Sequence, residues 1–332
     1  MKPVLLSSGD VLADRRAEYG EMLLQAGDAP AAADLFRQAL ERAPGWAAGW
    51  FRLGEIEEAA GNLPAAFESW RRALGLDPAD PFGVTLKLKL AGQAGDAAVM
   101  PSAFVETLFD AYADDFDHAL VERLGYAAPD RLVEAISEVH GTGFAKALDL
   151  GCGTGLMGAR LRAITSHLEG VDISAEMLRK AAAKGIYDRL EQADLTLLEP
   201  WPGIAPDLVT AADVFMYLGE LERVFQWIAA TLAPGGLFGF TVEAAPAEED
   251  IVLRPSLRYA HGKAYVCKRL ESCGLDPVSM TRHTIRMDRG EPVEGLVVVA
   301  MKPAMRPSAL PGWTSAVLPD EEAAKERLPA MH

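Results

Sequence analysis

Residues 148–155 read LDLGCGTG, so an apolar run passes directly into a turn that contains three glycines. Glycine has no Cβ, and it can therefore adopt left-handed backbone angles and bring backbone N–H groups close to a ligand. A helical pattern follows over 156–164. Open α/β sheets bind nucleotides at turns of this kind, where a strand ends and a helix begins. The turn is a weak signal when it stands alone, because 153–158 also fits the dinucleotide-binding pattern.

Short apolar runs alternate with helical stretches over residues 141–302. The predicted strands are 145–150, 168–173, 208–212, 237–242 and 297–301, and the predicted helices are 156–164, 175–184, 220–232 and 263–273. This alternation predicts an α/β fold with a doubly wound, mostly parallel sheet. Residues 278–287 and 293–301 flank the turn 288–290 and predict an antiparallel hairpin that closes the sheet. The connection 246–262 has no clear pattern, and we expect a long loop that shapes a pocket.

Acidic residues mark the first three predicted strands. Asp149 lies on the first strand, two residues before Gly151, while Asp172 ends the second strand and Asp194 ends the expected third. A carboxylate at this edge can accept hydrogen bonds from ribose hydroxyls, and a second one can accept a bond from an adenine amino group. Other roles stay open: Asp149 could orient the glycine turn, and Asp172 could cap the next helix, although Ser174 suits that role better.

Taken together, these motifs resemble the class I S-adenosylmethionine-dependent methyltransferases over about residues 103–302. Residues 206–214 resemble the fourth strand of that family, and LAPGGL at 232–237 resembles the turn before its fifth strand. The resemblance implies a Rossmann-like sheet of seven strands, S-adenosyl-L-methionine as the cofactor, S-adenosyl-L-homocysteine as the product and no metal ion. The positions expected to bind the cofactor are Tyr112, Asp149, Gly151, Cys152, Gly153, Gly155, Asp172, Ile173, Met177, Ala193, Asp194, Leu195 and Ala211.

The N-terminal part of the chain contains a repeat of 34 residues. Six pairs of positions recur at this spacing, namely Tyr19/Leu53, Gly20/Gly54, Ala32/Ala66, Phe36/Trp70, Ala39/Ala73 and Pro44/Pro78, and 95–96 continues the period. The period and residue types resemble the tetratricopeptide repeat, with units at about 13–46 and 47–80 and a lone first helix at about 81–94. The glycines allow paired helices to approach closely, and each proline ends a second helix.

Two helical surfaces have more than one reading. The groove-lining positions of such repeats are Asp14, Glu21, Glu55 and Glu58, so the groove is acidic; it is either a solvated face or suited to a basic partner. In the segment that follows the repeats, Phe104, Leu108, Tyr112 and Phe116 lie four apart and share one helix face. That face either belongs to the core or forms a lid over the cofactor, with Tyr112 in contact with it.

The expected organisation is a repeat domain over 1–98, a helical linker or lid over 99–140, a cofactor-binding domain over 141–302 and a flexible tail over 303–332. The chain has 332 residues, and its net charge of −16 argues against nucleic-acid and membrane-surface partners. Its three cysteines suggest neither a disulfide framework nor a zinc site. No apolar run is long enough for a signal peptide or a membrane span, so we expect a cytoplasmic protein, with homo-oligomerisation left open.

Methyl transfer depends mainly on alignment of the reactants and exclusion of water. A general base is needed only where the acceptor carries a proton that must leave. The candidate catalytic residues are His261, Glu243 and Tyr217, with Asp213 also at the right edge of the sheet, although His261 could equally be a surface residue without a role.

Three functions are compatible with these motifs. The favoured one is methyl transfer to a small molecule, with the repeats as a cap or an oligomerisation element. The second is a protein methyltransferase whose repeats recruit the polypeptide, and the third is a repeat scaffold that binds the cofactor without turnover. A dehydrogenase is less favoured, because the terminal hairpin does not fit a dehydrogenase sheet.

Overall fold

The computed structural model describes residues 7–94, 100–114, 116–118, 120 and 124–304. Several predictions fall outside these ranges. They concern residues 305–332 of the expected tail (303–332), the end of the third repeat unit at 95–96 and the domain boundary near residue 98. Within the described ranges, no helix combines the length and the apolar character needed to cross a bilayer. No three His, Cys, Asp or Glu side chains gather as metal ligands in the same ranges, and all three cysteines are free thiols.

Five helices form the N-terminal part: α1 (Val11–Gln25), α2 (Ala29–Arg42), α3 (Ala47–Ala59), α4 (Leu63–Leu76) and α5 (Val84–Leu90). Asp28 begins α2 by accepting a hydrogen bond from a backbone N–H of its first turn. A Cβ on Gly20 would lie 2.7 Å from the ring of Phe36, and one on Gly54 would lie 2.3 Å from Trp70. The expected close approach within each helix pair is therefore confirmed, because only glycine leaves room for these rings.

Three helices connect the repeats to the sheet: α6 (Ser102–Tyr112), α7 (Phe116–His118) and α8 (Ala128–His140). Carboxylates on the first two are hydrogen-bonded to residues near the glycine turn. Asp110 accepts a bond of 2.5 Å from the Ser174 hydroxyl, and Asp117 accepts bonds from the Thr154 hydroxyl and, at 2.7 Å, from Lys184. These bonds hold α6 and α7 over the turn, in the position expected of a lid.

One sheet contains β1 (Phe144–Leu150), β2 (Thr165–Asp172), β3 (Arg189–Gln192), β4 (Leu208–Ala211), β5 (Leu237–Ala244), β6 (Ile251–Leu253), β7 (Tyr259–His261), β8 (Asp276–Asp288) and β9 (Glu291–Met301). The first five lie parallel in the order β3-β2-β1-β4-β5, and β9 lies antiparallel between β5 and β8. The connecting helices are α9 (Leu156–Leu161), α10 (Ala175–Lys184), α11 (Glu222–Thr231) and α12 (Lys263–Ser272). The α/β fold with a doubly wound, mostly parallel sheet is confirmed.

Two short strands distinguish this sheet from the seven strands expected. The connection 246–262, expected to be a loop, contains β6 and β7, which form a hairpin that pairs with the last residues of β5, beyond the end of β4. Strands of three residues are too short to show an alternating pattern, so the sequence carried no signal for them. The expected β8–β9 hairpin is confirmed, and Arg289 (φ 52°) and Gly290 (φ 86°) form its two-residue turn.

Apolar side chains cover both faces of the sheet, because alternate residues of the strands point in opposite directions. One cluster is built around Phe225, Phe238 and Phe240, and another around Leu132 and Ile136 of α8. A further cluster joins the repeats to the sheet, since Leu86 of α5 packs with Met100, Met216, Tyr217 and Tyr259. Helix α5, the first helix of the third repeat unit, thus shares a core with the segments that follow β4 and β6.

Candidate active site at the carboxyl edge of the sheet

A cavity of about 1260 Å³ lies where β1, β2 and β4 end and is covered by α6 and the two hairpins. Eleven of the site residues expected from the sequence line it: Tyr112, Gly151, Cys152, Gly153, Asp172, Ile173, Ala193, Asp194, Leu195, Asp213 and Tyr217. Pockets for one drug-sized ligand have volumes of roughly 300–1,000 Å³, so this cavity has room for more than one molecule. Burial raises the pKa of the Cys152 thiol, which is therefore a neutral part of the wall.

The glycine turn presents its backbone to the cavity. Gly151 (φ 61°) and Gly153 (φ 53°) both adopt left-handed angles. A Cβ on Gly151 would lie 2.6 Å from Val214, so that position requires glycine for packing. At Gly153 the nearest atom to such a Cβ would be 3.7 Å away, on Phe116. The space beside Gly153 is consequently open to a ligand, while its N–H is already bonded to Asp172.

Asp172 is held in place by the turn that it faces. Its carboxylate accepts hydrogen bonds from the backbone N–H of Gly153 at 2.8 Å and of Ser174 at 2.9 Å. Burial raises the pKa of Asp172, although these backbone bonds lower it in part. The helix cap is Ser174, whose hydroxyl accepts the N–H of Met177, so capping does not explain the carboxylate of Asp172. Its contact with ribose remains a prediction that this placement supports.

Asp194 lies further along the same wall, after the end of β3. One carboxylate oxygen accepts bonds of 2.7 Å from both the backbone N–H and the hydroxyl of Thr196. These two bonds orient the side chain, and the residue lines the cavity together with Ala193 and Leu195. The predicted contact with the adenine amino group is compatible with this position.

Four expected cofactor residues lie outside the cavity lining: Asp149, Gly155, Met177 and Ala211. Asp149 is buried, and its carboxylate accepts bonds of 2.8 Å from the hydroxyls of Tyr187 and Thr210. Burial raises its pKa to about 7, against the opposing effect of these two bonds. The structure therefore favours the alternative in which Asp149 orients the turn and does not touch the ligand.

The ring of Tyr187 explains why three further positions, in and after the glycine turn, are glycine. A Cβ on Gly158 would lie 2.1 Å from its hydroxyl, one on Gly170 2.8 Å from its ring and one on Gly155 3.1 Å from its ring. The ring thus occupies a slot that three glycines leave open, and its hydroxyl reaches Asp149. Sequence reasoning missed Tyr187, because the spacing of glycines reveals a slot but not the side chain that fills it.

Two of the three expected catalytic residues also lie outside the cavity. His261 is fully buried on β7, where its Nε2 lies 2.9 Å from the carbonyl oxygen of Gly219, and burial lowers its pKa. Glu243 is buried between Arg286 and Arg254, the latter at 3.1 Å. The expectation for His261 is thereby corrected: it is a neutral core histidine that lies neither at the surface nor in the cavity lining.

Of the catalytic candidates, Asp213 lines the cavity, and so does Tyr217. Tyr217 ends a short 3₁₀ helix (Phe215–Tyr217) after β4, and its ring meets that of Phe109 edge to face at 5.2 Å. Burial raises the pKa of its hydroxyl, and the nearby positive charge of Arg258 opposes that effect. A neutral phenol of this kind can orient an acceptor by hydrogen bonding but is a poor base.

A buried ion-pair network contributes Asp213 and Arg286 to the wall of the cavity. Arg286 on β8 donates to both carboxylate oxygens of Asp213, at 2.5 and 2.6 Å, and also to Glu243. Burial disfavours its charge, but the two carboxylates outweigh that effect and raise the pKa of Arg286. Asp213 has φ 61°, a left-handed angle that a non-glycine residue adopts only at a cost and that is typical of functional sites.

The two hairpins add further positive groups to the wall. Arg254 and Arg258 come from the β6–β7 hairpin and Arg289 from the β8–β9 turn. Arg258 lies 3.1 Å from Asp288, and Arg254 donates to a backbone carbonyl at 2.7 Å. Sequence reasoning missed these arginines, because they come together only through the pairing of distant strands.

Comparison with known proteins agrees with this architecture. Residues 148–238 match the family model of a methyltransferase domain, and residues 13–56 match that of a tetratricopeptide repeat. The chain carries a class I methyltransferase domain preceded by tetratricopeptide repeats. S-adenosyl-L-methionine, the cofactor that the resemblance implies, is the cofactor of this class.

Relatives and solved structures show how far the likeness extends. A trans-aconitate 2-methyltransferase from Paracidovorax citrulli is 32% identical over 127 residues, which is 37% of this chain and 48% of that protein. A malonyl-[acyl-carrier protein] O-methyltransferase from Enterobacter lignolyticus is 30% identical over 133 residues, 40% of this chain and 52% of that protein. The match to a solved S-adenosylmethionine-dependent methyltransferase from Mesorhizobium loti covers 53% of this chain and 98% of that protein, with 23% identity and a TM-score of 0.43. The chain spans about half the length of these curated relatives.

Proposed function

We propose that the protein transfers the methyl group of S-adenosyl-L-methionine to a carboxylate oxygen of a small-molecule acceptor, giving a methyl ester and S-adenosyl-L-homocysteine. The observation that carries this proposal is the single cavity that joins two different ends. One end presents Gly153, Asp172 and Asp194, and the other presents Arg254 and Arg258. Carboxylates suit the ribose and adenine of the cofactor, whereas guanidinium groups suit an anionic acceptor.

The candidate bases support an acceptor that is already ionised. Asp213 has both carboxylate oxygens bound by Arg286, and Glu243 is held by two arginines. His261 lies outside the cavity, and the pKa of Tyr217 is raised. An alcohol or a protonated amine would need a base, but a carboxylic acid has lost its proton at neutral pH. A carboxylate therefore fits the groups that this cavity offers.

The names of the two relatives agree with that class of acceptor. Trans-aconitate and the malonyl group are both substrates that carry free carboxylates. The guanidinium plane of arginine binds a carboxylate through two parallel hydrogen bonds, which would fix the orientation of the attacking oxygen. In this proposal Arg258 is the main acceptor-binding residue, and Tyr217 and Arg254 help to position the acceptor.

The residues of this chain fit the cofactor, and different residues bind it, close the cavity and exclude water. Bound S-adenosyl-L-methionine supplies a methyl group on a positively charged sulfur. Gly153 leaves open space for its amino-acid end, while Asp172 and Asp194 accept bonds from its ribose and adenine. Tyr112 and its neighbours on α6 close the cavity and exclude water, and alignment in a dry site supplies most of the rate enhancement that such a displacement needs.

Calorimetric titration with S-adenosyl-L-methionine, S-adenosyl-L-homocysteine and NAD tests the cofactor site. We expect micromolar binding of the first two and none of NAD. Asp172→Asn removes a charged acceptor and should weaken binding about 10- to 100-fold, whereas Asp276→Asn, at an exposed position on β8, should leave it unchanged.

Transfer of labelled methyl groups tests the acceptor. Trans-aconitate, malonate and unbranched carboxylic acids should receive label, and the corresponding amides should not. Label on phenols or proteins alone would overturn the carboxylate assignment, and binding of NAD in place of the methyl donor would overturn the site as a whole.

A further inference from the structure

We propose that the repeats supply part of the acceptor site, namely a subsite for the hydrocarbon portion of an aliphatic carboxylic acid. The subsite consists of Phe51 on α3, Phe82 between α4 and α5, and Phe104 on α6. The proposal rests on the proposed function for the location of the acceptor's carboxylate. It assigns to the repeats a direct role in substrate selection.

The cavity continues without a break from the sheet to the repeats. Its wall includes Ala48 and Phe51 of α3, and then Pro81 and Phe82, in addition to the residues of the glycine turn. Because its volume of about 1260 Å³ exceeds the range for one drug-sized ligand, space remains beside a bound cofactor. An acceptor held at Arg258 can therefore extend towards the repeats.

The charged groups of this repeat face are already paired with one another. Arg52 donates to both oxygens of Glu21, at 2.6 and 2.8 Å, and to Glu55 at 2.7 Å. Lys87 lies 3.0 Å from Glu58. Two basic side chains thus pair with three of the four carboxylates that the sequence places in this groove. A basic polypeptide would have to displace these pairs, which leaves the aromatic rings as the surface available to a ligand.

Two of those rings are in contact, and the third lines the same cavity. Phe51 and Phe82 stack with their centroids 5.2 Å apart and their planes 19° from parallel. Both are half-buried and line the cavity, and Phe104 lines it beside them. Burial of a hydrocarbon chain against such a surface is favourable by about 0.8 kcal/mol per methylene.

The wall is fixed relative to the rest of the site. The buried carboxylate of Asp80 accepts the backbone N–H groups of Val84 at 2.7 Å and Thr85 at 2.9 Å, which holds the turn before α5. Gly83 has φ 70°, and a Cβ there would lie 3.0 Å from the ring of Phe104. This close packing places Phe82 beside α6, so a ligand can contact both elements together.

Titration of the full chain with unbranched acids from butanoate to decanoate tests the subsite, with S-adenosyl-L-homocysteine present throughout. In the wild-type protein we expect affinity to rise about fourfold per added methylene, the ratio that corresponds to 0.8 kcal/mol. Phe51→Ala and Phe82→Ala should flatten the series for the longer acids. Binding of butanoate and of S-adenosyl-L-homocysteine should stay as in the wild type, since neither reaches these rings.

Phe67→Ala is the matched control, because Phe67 lies on α4 against Trp70 and outside the cavity. It should keep the full chain-length dependence, and Phe51→Leu serves if Phe51→Ala does not fold. A flat series in the wild type, or an equal loss in Phe67→Ala, overturns the subsite even if short acids are methylated. A chain-length series without methyl transfer supports the subsite and overturns the carboxylate acceptor, and binding of no acid overturns both.

Discussion

Arg258 lies in the turn of the β6–β7 hairpin, near Tyr217 and with one guanidinium nitrogen 3.1 Å from Asp288. Its side chain is about one-quarter exposed, into the cavity. A guanidinium group has five N–H donors, and a single carboxylate cannot accept hydrogen bonds from all of them. Arg258 therefore has donors to offer an anionic acceptor, whereas two of the three guanidinium nitrogens of Arg286 already donate to Asp213 and Glu243.

Arg258→Gln should raise the KM for a carboxylate acceptor about 10- to 100-fold, because a charged hydrogen bond is lost. The dissociation constant of S-adenosyl-L-methionine should not change. Arg258→Lys should recover only part of the loss, since an ammonium group lacks the planar pair of donors. Arg282→Gln, at an exposed position of β8, is the control. An equal KM in Arg258→Gln and Arg282→Gln would falsify the assignment.

Asp149→Asn should alter how the free energy of unfolding depends on pH. Burial raises the pKa of Asp149 from 3.8 to about 7, so the folded protein holds this proton more tightly than the unfolded chain. The resulting stabilisation is complete below about pH 4 and is lost as the pH rises through 7. In urea unfolding, the free energy of unfolding of Asp149→Asn should therefore increase relative to that of the wild type as the pH rises from 5 to 8.

Asp188→Asn provides the control for that experiment. A backbone bond from Leu168, together with Arg162 and other groups, lowers the pKa of Asp188, so its contribution is present above pH 4 and is lost only at lower pH. Its difference from the wild type should be constant between pH 5 and pH 8. A constant difference for Asp149→Asn as well would show that Asp149 is ionised in the folded protein throughout.

At the scale of secondary-structure elements, the fit of α9 and β2 around one tyrosine positions the glycine turn. Gly158 belongs to α9 and Gly170 to β2, and both face the ring of Tyr187. The hydroxyl of Tyr187 bonds Asp149 on β1, so the same side chain connects three elements beneath the cofactor end of the cavity. The two hairpins play a comparable part at the other end, where they bring the arginines together.

Gly158→Ala should destabilise the protein by about 1–3 kcal/mol, because the added methyl group would overlap the ring of Tyr187. The same change should weaken binding of S-adenosyl-L-methionine, since the turn must shift to relieve the overlap. Gly75→Ala is the matched control, as its position in α4 has no neighbour within 4 Å. There we expect no loss, or a gain of up to about 1 kcal/mol, in urea unfolding.

At the scale of the whole molecule, α5 is the point where the repeats and the sheet share a core. Leu86 is fully buried and packs with Met216 and Tyr217, which follow β4, and with Tyr259 on β7. The same region borders the acceptor end of the cavity. The repeats are therefore expected to affect the acceptor through this contact rather than as an independent array.

Leu86→Ala should lower the free energy of unfolding by about 2–5 kcal/mol, through lost burial and the cavity that remains. It should also raise the acceptor KM more than the dissociation constant of the cofactor, because Tyr217 loses its packing partner. Leu63→Ala, with 46% of the side chain exposed, should change stability by no more than about 0.5 kcal/mol. Equal effects of Leu86→Ala on both ligands would contradict a link between α5 and the acceptor end.

Local patterns were sufficient for much of this protein. The run 148–155, the acidic residues at the ends of later strands and the period of 34 all depend on neighbours along the chain, so they predicted the strand–turn–helix order, the paired helices and the residues at the cofactor end. They could not reveal β6 and β7, which exist only because the end of β5 offers unpaired backbone groups to them.

The acceptor end depends on contacts between distant parts of the chain. Arg286 meets Asp213 from 73 residues away, and the repeat rings reach the cavity from the other end of the chain. An ion pair of this kind has no signature in either segment, because each charge looks like an ordinary surface residue until folding buries both. The placement of His261 in the core has the same origin: its burial is set by the pairing of β7 with β5 and β6 and not by its sequence neighbours.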